Sequence, residues 1–528
     1  MTALAARAAT VALVAALTAC SSTASVSESP TSLSDQPPGL VPALALPEHA
    51  VDNAVAKLDG IAEDLMKSSG IPGMAVAVVH AGKTVYAKGF GVKDVRRPVD
   101  DPANKVQPDT VFQLASVSKP IGATVVAHQV GENAIGWNTR VIDKLPWFAL
   151  SDPAATALVT VGDLYSHRSG LPDHAGDQLE DLGYDRRYVL ERLRQLPLAP
   201  FRISYAYTNF GLTAAAEAVA VAAGKSWEDL SEQVLYRPLG MASTSSRFAD
   251  YEARPDKAVG HIRIDRTYQP LYQRNADPEA PAGGVSSSVN DLTHWLTMML
   301  GNGTYNGRQI VDPAALLPAV SPQIVSSPPA EPAMRSGFYG YGFNVGTTSA
   351  ARVQLSHSGA FDLGAATNFV IIPSADVAIV ALTNATPTGI PETLTAEFAD
   401  LVQFGEVRQD WRKLYADAFA DMDKPFGVLA GKTPPADPVP AKPTAAYAGT
   451  YRNDYWGPAV VADNGGKLTL SLGPRPDTLE LTHWDGDVFT FRFASENFPP
   501  GSISMATFDG DRLTLEYYDT DKMGTFSR

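Results

Sequence analysis

Strand-forming sequence appears near the start of the chain and returns only after a long helical stretch, and this spacing constrains the fold more than any other feature. Residues 74–91, MAVAVVHAGKTVYAKGFG, hold two apolar, β-branched runs on either side of Ala81-Gly82, the pattern of a hairpin. From residue 338 the strand signal resumes as FYGYGFNV, RVQLSH, AATNFVII and DVAIVALTN, with a turn at Pro373-Ser374-Ala375. Residues 120–300 read instead as helices and long loops, with helices over 211–223, 227–236 and 289–300. Ser288 and Asp291 stand where an N-cap residue and its N3 partner belong. Ahead of the hairpin, Val51, Ala54, Val55, Leu58, Ile61, Leu65 and Met66 predict a helix over 48–69 that ends at Gly70. Residues 392–406 predict a closing helix. The simplest arrangement is an α+β fold of two lobes, in which a helical lobe is inserted into a lobe built on one sheet.

At 528 residues the chain exceeds what one core usually holds, about 250–300 residues. A second unit is therefore expected. After a short stretch at 408–420, six prolines between 424 and 443 end the first unit. The remainder, 444–528, alternates from Lys467 to Leu472, Val488 to Phe493 and Arg512 to Tyr517, punctuated by Asp485-Gly486 and Asp509-Gly510. That is a small all-β sheet or barrel. Its aromatics, Tyr447, Tyr451, Tyr455, Trp456 and Trp484, could line a pocket or fill a core, and core is the commoner outcome.

A net charge of −15 without a basic tract excludes nucleic acid as an expected partner. At the N-terminus, Arg7 precedes ATVALVAALTA, too short to cross a bilayer and suited to a signal-peptide core. The run Leu17-Thr18-Ala19-Cys20 contains the chain's one cysteine. Cys20 is either an incidental thiol or, because the run resembles a lipobox, the acylated first residue of an exported bacterial lipoprotein held to membrane lipid. Both readings leave the mature domain without disulfides, cysteine nucleophiles or cysteine-ligated zinc. The nine histidines form no His-Glu-x-x-His pattern. Neither a metal nor an organic cofactor is expected. The domain plan is signal peptide 1–19, tether 20–44, two-lobe α+β domain 45–406, Pro-rich connector 407–443 and β domain 444–528.

Chemistry concentrates in Phe112-Gln113-Leu114-Ala115-Ser116-Val117-Ser118-Lys119-Pro120. Ser116 and Lys119 lie three apart and share one helix face. A serine hydroxyl needs a base to become a nucleophile, and a lysine with a lowered pKa can serve. Pro120 fits only near a helix start, where free backbone N–H groups can face developing negative charge. Ser-x-x-Lys alone is more often a solvated helix face. Two further signals support it. Tyr207-Thr208-Asn209 offers a phenol to relay a proton and an amide to orient a carbonyl or the lysine. His357-Ser358-Gly359-Ala360, at the end of an expected strand, offers a glycine along which substrate can lie and an Ala360 N–H to pair with that of Ser116 as an oxyanion hole.

The order Ser-x-x-Lys, Tyr-x-Asn, His-x-Gly resembles the class C β-lactamase and penicillin-binding family over roughly residues 50–405. Supporting phrases are Leu164-Tyr165-Ser166-His167-Arg168-Ser169-Gly170-Leu171-Pro172, Pro238-Leu239-Gly240-Met241, Pro281-Ala282-Gly283-Gly284 and Tyr339-Gly340-Tyr341-Gly342-Phe343. The resemblance implies a central antiparallel sheet, a helical lobe and a site between them. It also implies attack by Ser116, proton transfer shared by Lys119 and Tyr207, and positioning of ligand amide and lysine by Asn209. His167 is implied to be structural. His357 replaces the lysine of a Lys-Thr-Gly triplet, so a fixed cation for a penicillin-type carboxylate is missing unless the histidine is protonated. The resemblance therefore implies a peptidase or esterase that cleaves an amide or ester in a small substrate, such as a D-amino-acid peptide or cell-wall fragment. β-Lactam hydrolysis and a non-catalytic surface lipoprotein are the alternatives. Tyr447-Ala448-Gly449-Thr450-Tyr451 and residues 481–489 resemble the lipocalin-like domains appended to such hydrolases.

Overall fold

A computed structural model describes residues 36–528 apart from 423 and 476. The signal-peptide reading and Cys20 lie outside the described residues. Residues up to Val41 form one unit, whose described part holds a short 3-10 turn at Pro38–Leu40. Residues 42–528 form the other.

The larger unit is built on an eight-stranded antiparallel sheet. Its strands are β1 (Gly73–His80), β2 (Lys83–Gly91), β3 (Ile324–Ser327), β4 (Gly337–Tyr339), β5 (Asn344–Thr347), β6 (Val353–Phe361), β7 (Ala365–Ile372) and β8 (Val377–Thr383), in the order β2-β1-β8-β7-β6-β5-β4-β3. The two strand blocks meet where β1 pairs with β8, Met74 opposite Thr383 and His80 opposite Val377. Side chains alternate across a strand, and β1 is buried on both faces. Met74, Val76 and Val78 join one core with Leu58, Leu65 and Phe398. Ala75, Ala77 and Val79 join the other with Ile121, Val125 and Trp295. The first core packs under α1 (Ala50–Val55), α2 (Leu58–Ser69) and α7 (Ile390–Phe404), the second under α3 (Ser118–Gly131) and α6 (Val289–Leu300), with α4 (Asp177–Asp181) and α5 (Asn209–Ala223) in the helical lobe.

The C-terminal strands, β9 (Gly449–Asn453), β10 (Gly457–Asp463), β11 (Leu468–Leu472), β12 (Leu479–Asp485), β13 (Val488–Phe491), β14 (Ser504–Asp509), β15 (Arg512–Leu515) and β16 (Thr525–Ser527), form an up-and-down barrel. It is closed by Arg452 opposite Ser527. Tyr447, Tyr451, Tyr455 and Trp456 are buried, and the Tyr447 ring sits 4.8 Å from Phe508 and 5.0 Å from Phe489. These aromatics are core, whereas Trp484 is only half-buried.

Four expectations change. The helix over 48–69 is two helices, broken at Ala56-Lys57, where the Lys57 N–H bonds back to the Ala54 carbonyl at 3.1 Å. Apolar spacing hides the break because Val51, Ala54 and Leu58 still turn inward. The helix over 227–236 is Trp227–Ser231 followed by a wider π turn, Glu232–Tyr236, which leads into Arg237–Leu239. Residues 408–420 contain a helix, α8 (Trp411–Phe419), whose indole Nε1–H donates to Asp400 on α7 at 2.7 Å. Finally, β6 does not stop where the RVQLSH run ends at His357: pairing with β7 continues to Phe361 opposite Ala365, so His357 to Ala360 lie in the last part of the strand.

Candidate active site

Ser116 sits in a 3-10 turn, Ala115–Val117, immediately before α3. The residue ahead of it, Ala115, is buried with φ of 48°, a left-handed conformation that costs a side-chain-bearing residue about 1–3 kcal/mol. The surrounding packing holds this elbow. The Ser118 hydroxyl donates to the Ala115 carbonyl at 2.6 Å and accepts the Val285 N–H at 2.9 Å. The elbow leaves Ser116 partly exposed while Lys119 is fully buried.

Lys119 Nζ lies 2.9 Å from Ser116 Oγ, 2.7 Å from Asn209 Oδ1 and 3.0 Å from the Ala282 carbonyl. Burial brings its pKa down from 10.5 to about 7, against the pull of Glu279 and Asp177 and with help from Arg274. A neutral amine has two N–H bonds and one lone pair. Asn209 Oδ1 and the Ala282 carbonyl can only accept, so they take both hydrogens and leave the lone pair facing the serine hydroxyl. That is the arrangement a base needs.

Tyr207 completes the group. Its ring centroid is 4.5 Å from Lys119 Nζ, and its phenol hydrogen-bonds with Ser116. Burial keeps the phenol well above its usual pKa, so it is protonated at neutral pH and can donate. Asn209 is fixed at both ends, since its Nδ2 donates to Asp177 Oδ2 at 2.8 Å. Asp177 also pairs with His174 Nδ1 at 2.8 Å and holds that imidazole up to about 9. His167 accepts the Thr208 N–H on Nδ1 at 3.1 Å and packs its ring 4.6 Å from Tyr207. It braces the Tyr-x-Asn segment rather than facing Ser116.

β6 forms the opposite wall. β5 pairs with it only from Val353 to Ser356, so His357 to Phe361 keep a free edge on that side. Gly359 is required there, because a Cβ would lie 2.1 Å from the Leu114 carbonyl and 2.3 Å from Thr367 Oγ1. The missing side chain lets β6 close on the segment that carries Ser116, and places Ala360 next along the free edge. His357 Nδ1–H donates to the Ser358 carbonyl at 2.6 Å, which leaves Nε2 to accept from Tyr339 Oη at 2.8 Å. Burial, with the nearby Lys119 charge, pushes its pKa down to about 3. His357 is therefore a neutral group near pH 7 and provides no charge for a carboxylate.

The sequence motifs Ser116, Lys119, Tyr207 and Asn209 thus converge, with His357, Gly359 and Ala360 on the facing strand. Sequence reasoning missed Asp177, Glu279, Arg274 and the Ala282 carbonyl. Only Ala282 had a pointer, through its place in Pro281-Ala282-Gly283-Gly284. Arg274 Nη2 binds Glu180 at 2.7 Å and Glu279 at 2.9 Å, making a buried charged layer behind the lysine. Among the described residues, no group of three or more His, Cys, Asp or Glu side chains is placed to hold a metal ion.

The beta-lactamase family profile matches residues 58–403, and a domain of unknown function, DUF3471, matches 433–525. The chain is 28% identical over 491 residues to the unguisins hydrolase ungD of Aspergillus violaceofuscus, covering 84% of each chain. It is 26% identical over 267 residues to the D-alanyl-D-alanine-carboxypeptidase/endopeptidase AmpH of Escherichia coli, covering 49% of this chain and 64% of that one. The octameric penicillin-binding protein homologue from Pyrococcus abyssi superposes with a TM-score of 0.58 at 19% identity, covering 90% of this chain and all of that one. A class C β-lactamase from Rhodobacter sphaeroides gives a TM-score of 0.51 at 22% identity, covering 66% of this chain and 98% of that one. The chain belongs to the beta-lactamase family and is a serine hydrolase of the β-lactamase and penicillin-binding superfamily.

Proposed function

We propose that this hydrolase cleaves an amide or ester through an acyl-enzyme on Ser116, with neutral Lys119 as the base. The observation that carries this reading is the lysine amine 2.9 Å from the serine oxygen, with acceptors for both hydrogens of its neutral form. Ser116 Oγ adds to the carbonyl carbon as its proton passes to Nζ. The negative oxygen that develops is met by the N–H groups of Ser116 and Ala360. The C–N or C–O bond then breaks as the leaving group takes, through Tyr207, the proton that Lys119 received, which returns Nζ to its neutral form. Water adds to the acyl ester, gives its proton to Lys119, and the serine regains its hydrogen as the acid departs. Asn209 keeps Lys119 aimed.

The substrate is a peptide or a related ester, in keeping with the peptide-cleaving relatives, and a D-amino-acid or cell-wall peptide fits an exported protein. Export and lipid attachment through Cys20 belong to the same proposal, as does a lipocalin-like form for the barrel. β-Lactam hydrolysis is the alternative, and the neutral His357 weighs against it. The test uses protein lacking residues 1–20. Serine-directed fluorophosphonate should label it, and Ser116→Ala should not be labelled. Persistent labelling in that variant overturns the proposal. Turnover of D-amino-acid amides or p-nitrophenyl esters well above that of a chromogenic cephalosporin supports the peptidase or esterase reading, and the reverse ranking supports the lactamase.

A further inference from the structure

The barrel does more than follow the hydrolase unit in sequence. Its loop between β13 and β14, residues 492–503, reaches into the layer behind the site. The loop has a firm root. Phe493 and Phe498 stack at 4.3 Å, and Phe498 meets Tyr517 at 5.1 Å. A bridge between Ser495 and Phe498 closes a tight tip, which presents Glu496 and Asn497 outward from the barrel.

Glu496 grips the turn after β6. Its Oε1 accepts the Asp362 N–H at 2.8 Å and its Oε2 accepts the Leu363 N–H at 3.2 Å. Asp362 directly follows Phe361, the residue after Ala360. Glu496 Oε2 also stands 3.8 Å from Arg274 Nη1, and the Arg274 guanidinium lies over the Phe361 ring at 4.8 Å. Only a tenth of the Glu496 side chain is exposed. Burial pushes the Glu496 carboxyl well above its usual range, so its hold on the turn rests on geometry: one buried side chain accepts from two adjacent backbone N–H groups and fixes both.

Asn497 grips the other wall. Its Nδ2 donates to Asp181 at 2.8 Å on α4, and Gln178 on the same turn donates to the Tyr517 carbonyl at 2.8 Å. The inward residue of α4 is Asp177, which orients Asn209 and through it Lys119. One barrel loop therefore holds both the strand end that carries Ala360 and the helical turn that aims the lysine.

We propose that the C-terminal barrel is a working part of the hydrolase site, with Glu496 as a positioning residue that holds the turn after β6 and so sets the Ala360 N–H against Ser116. Glu496 touches no reacting atom. The proposal rests on the serine-acylation reading.

The test measures the second-order rate of Ser116 acylation by an uncharged fluorophosphonate, and kcat and KM for a p-nitrophenyl ester. Both are referred to titrated active sites, so that loss of folded protein does not count. Glu496→Ala should slow acylation and kcat by about 10- to 100-fold, the scale of a displaced oxyanion donor, with KM changed by less than about threefold. Glu496→Gln keeps an oxygen for the Asp362 N–H and should recover most of the loss. Asp511→Ala, on an exposed part of the barrel, should behave as wild type. Should Glu496→Ala not fold, the same rates are read from Asn497→Ala, which should lose about 10-fold. Wild-type rates per site in Glu496→Ala, or in Asn497→Ala when that substitutes for it, overturn the proposal, as does a Glu496→Gln variant no faster than Glu496→Ala. Failure of the acylation reading itself looks different, because the wild type then carries no adduct on Ser116.

Discussion

Replacing Lys119 with methionine removes the amine but keeps an unbranched chain of similar size. In the folded protein burial brings the ammonium down to about 7 from its ordinary 10.5. The unfolded chain restores the ordinary value. Between those pH values the unfolded state holds a proton that the folded state has released, so wild-type stability rises with pH there. Below pH 7 the penalty for the buried charge is fully present, and it is relieved as pH climbs toward 10.5. One pKa unit is worth about 1.4 kcal/mol. Integrated with these two values, the lysine's contribution improves by about 2.7 kcal/mol between about pH 6 and about pH 9. The Lys119→Met variant lacks this contribution. Urea unfolding of both proteins across that range should show wild type gaining about 2–3 kcal/mol on the variant, other titrations cancelling in the difference. The offset at any single pH is less telling, because the variant leaves Asn209 Oδ1 and the Ala282 carbonyl without their donor, at about 1–3 kcal/mol each. Parallel curves for the two proteins would mean that the lysine is not depressed, and the base assignment would fail with it.

His357→Gln should leave the acid limb of kcat/KM in place above about pH 5, because His357 is already neutral there and Lys119 sets the limb; a pH-rate profile that flattens in the variant would contradict this. Gly359→Ala forces a Cβ to 2.1 Å from the Leu114 carbonyl and should cost at least about 1–3 kcal/mol, with slower Ser116 labelling, read by thermal melting and probe kinetics. Glu392 is a buried carboxyl held up to about 7, so the folded state keeps a proton that the unfolded state loses above about 4.5. Wild-type stability should fall as pH rises through that window, and Glu392→Gln should be more stable above pH 7 by up to about 3 kcal/mol in urea unfolding.

What was legible in the sequence was what local spacing encodes. Ser116 and Lys119 are one helical turn apart, and the hairpin at Ala81-Gly82 announces itself through two apolar runs around a turn. Pairing of β1 with β8, by contrast, joins residues from opposite ends of the unit; strands on both sides of a helical middle implied one shared sheet, but not which strands meet in it. Asp177 acts on Lys119 through Asn209, a contact across tertiary space that leaves no mark in residue spacing. Glu496 is more remote still, since it belongs to a different β unit from the turn it holds. The strand carrying His357 looked short because Ser358, Gly359 and Ala360 are weak strand formers, yet pairing with β7 carries it to Phe361. Helix α8 was missed because its apolar side rests on α7 without entering the core.

The central claim is that Ser116 is acylated with neutral Lys119 taking its proton. It is tested most directly by the pH dependence of acylation by an uncharged fluorophosphonate, with the adduct located by peptide mass spectrometry. A single adduct on Ser116 is expected, its rate of formation rising through a midpoint near 7 and then levelling, following the amine. A midpoint near 10, or an adduct on any other residue, would contradict it.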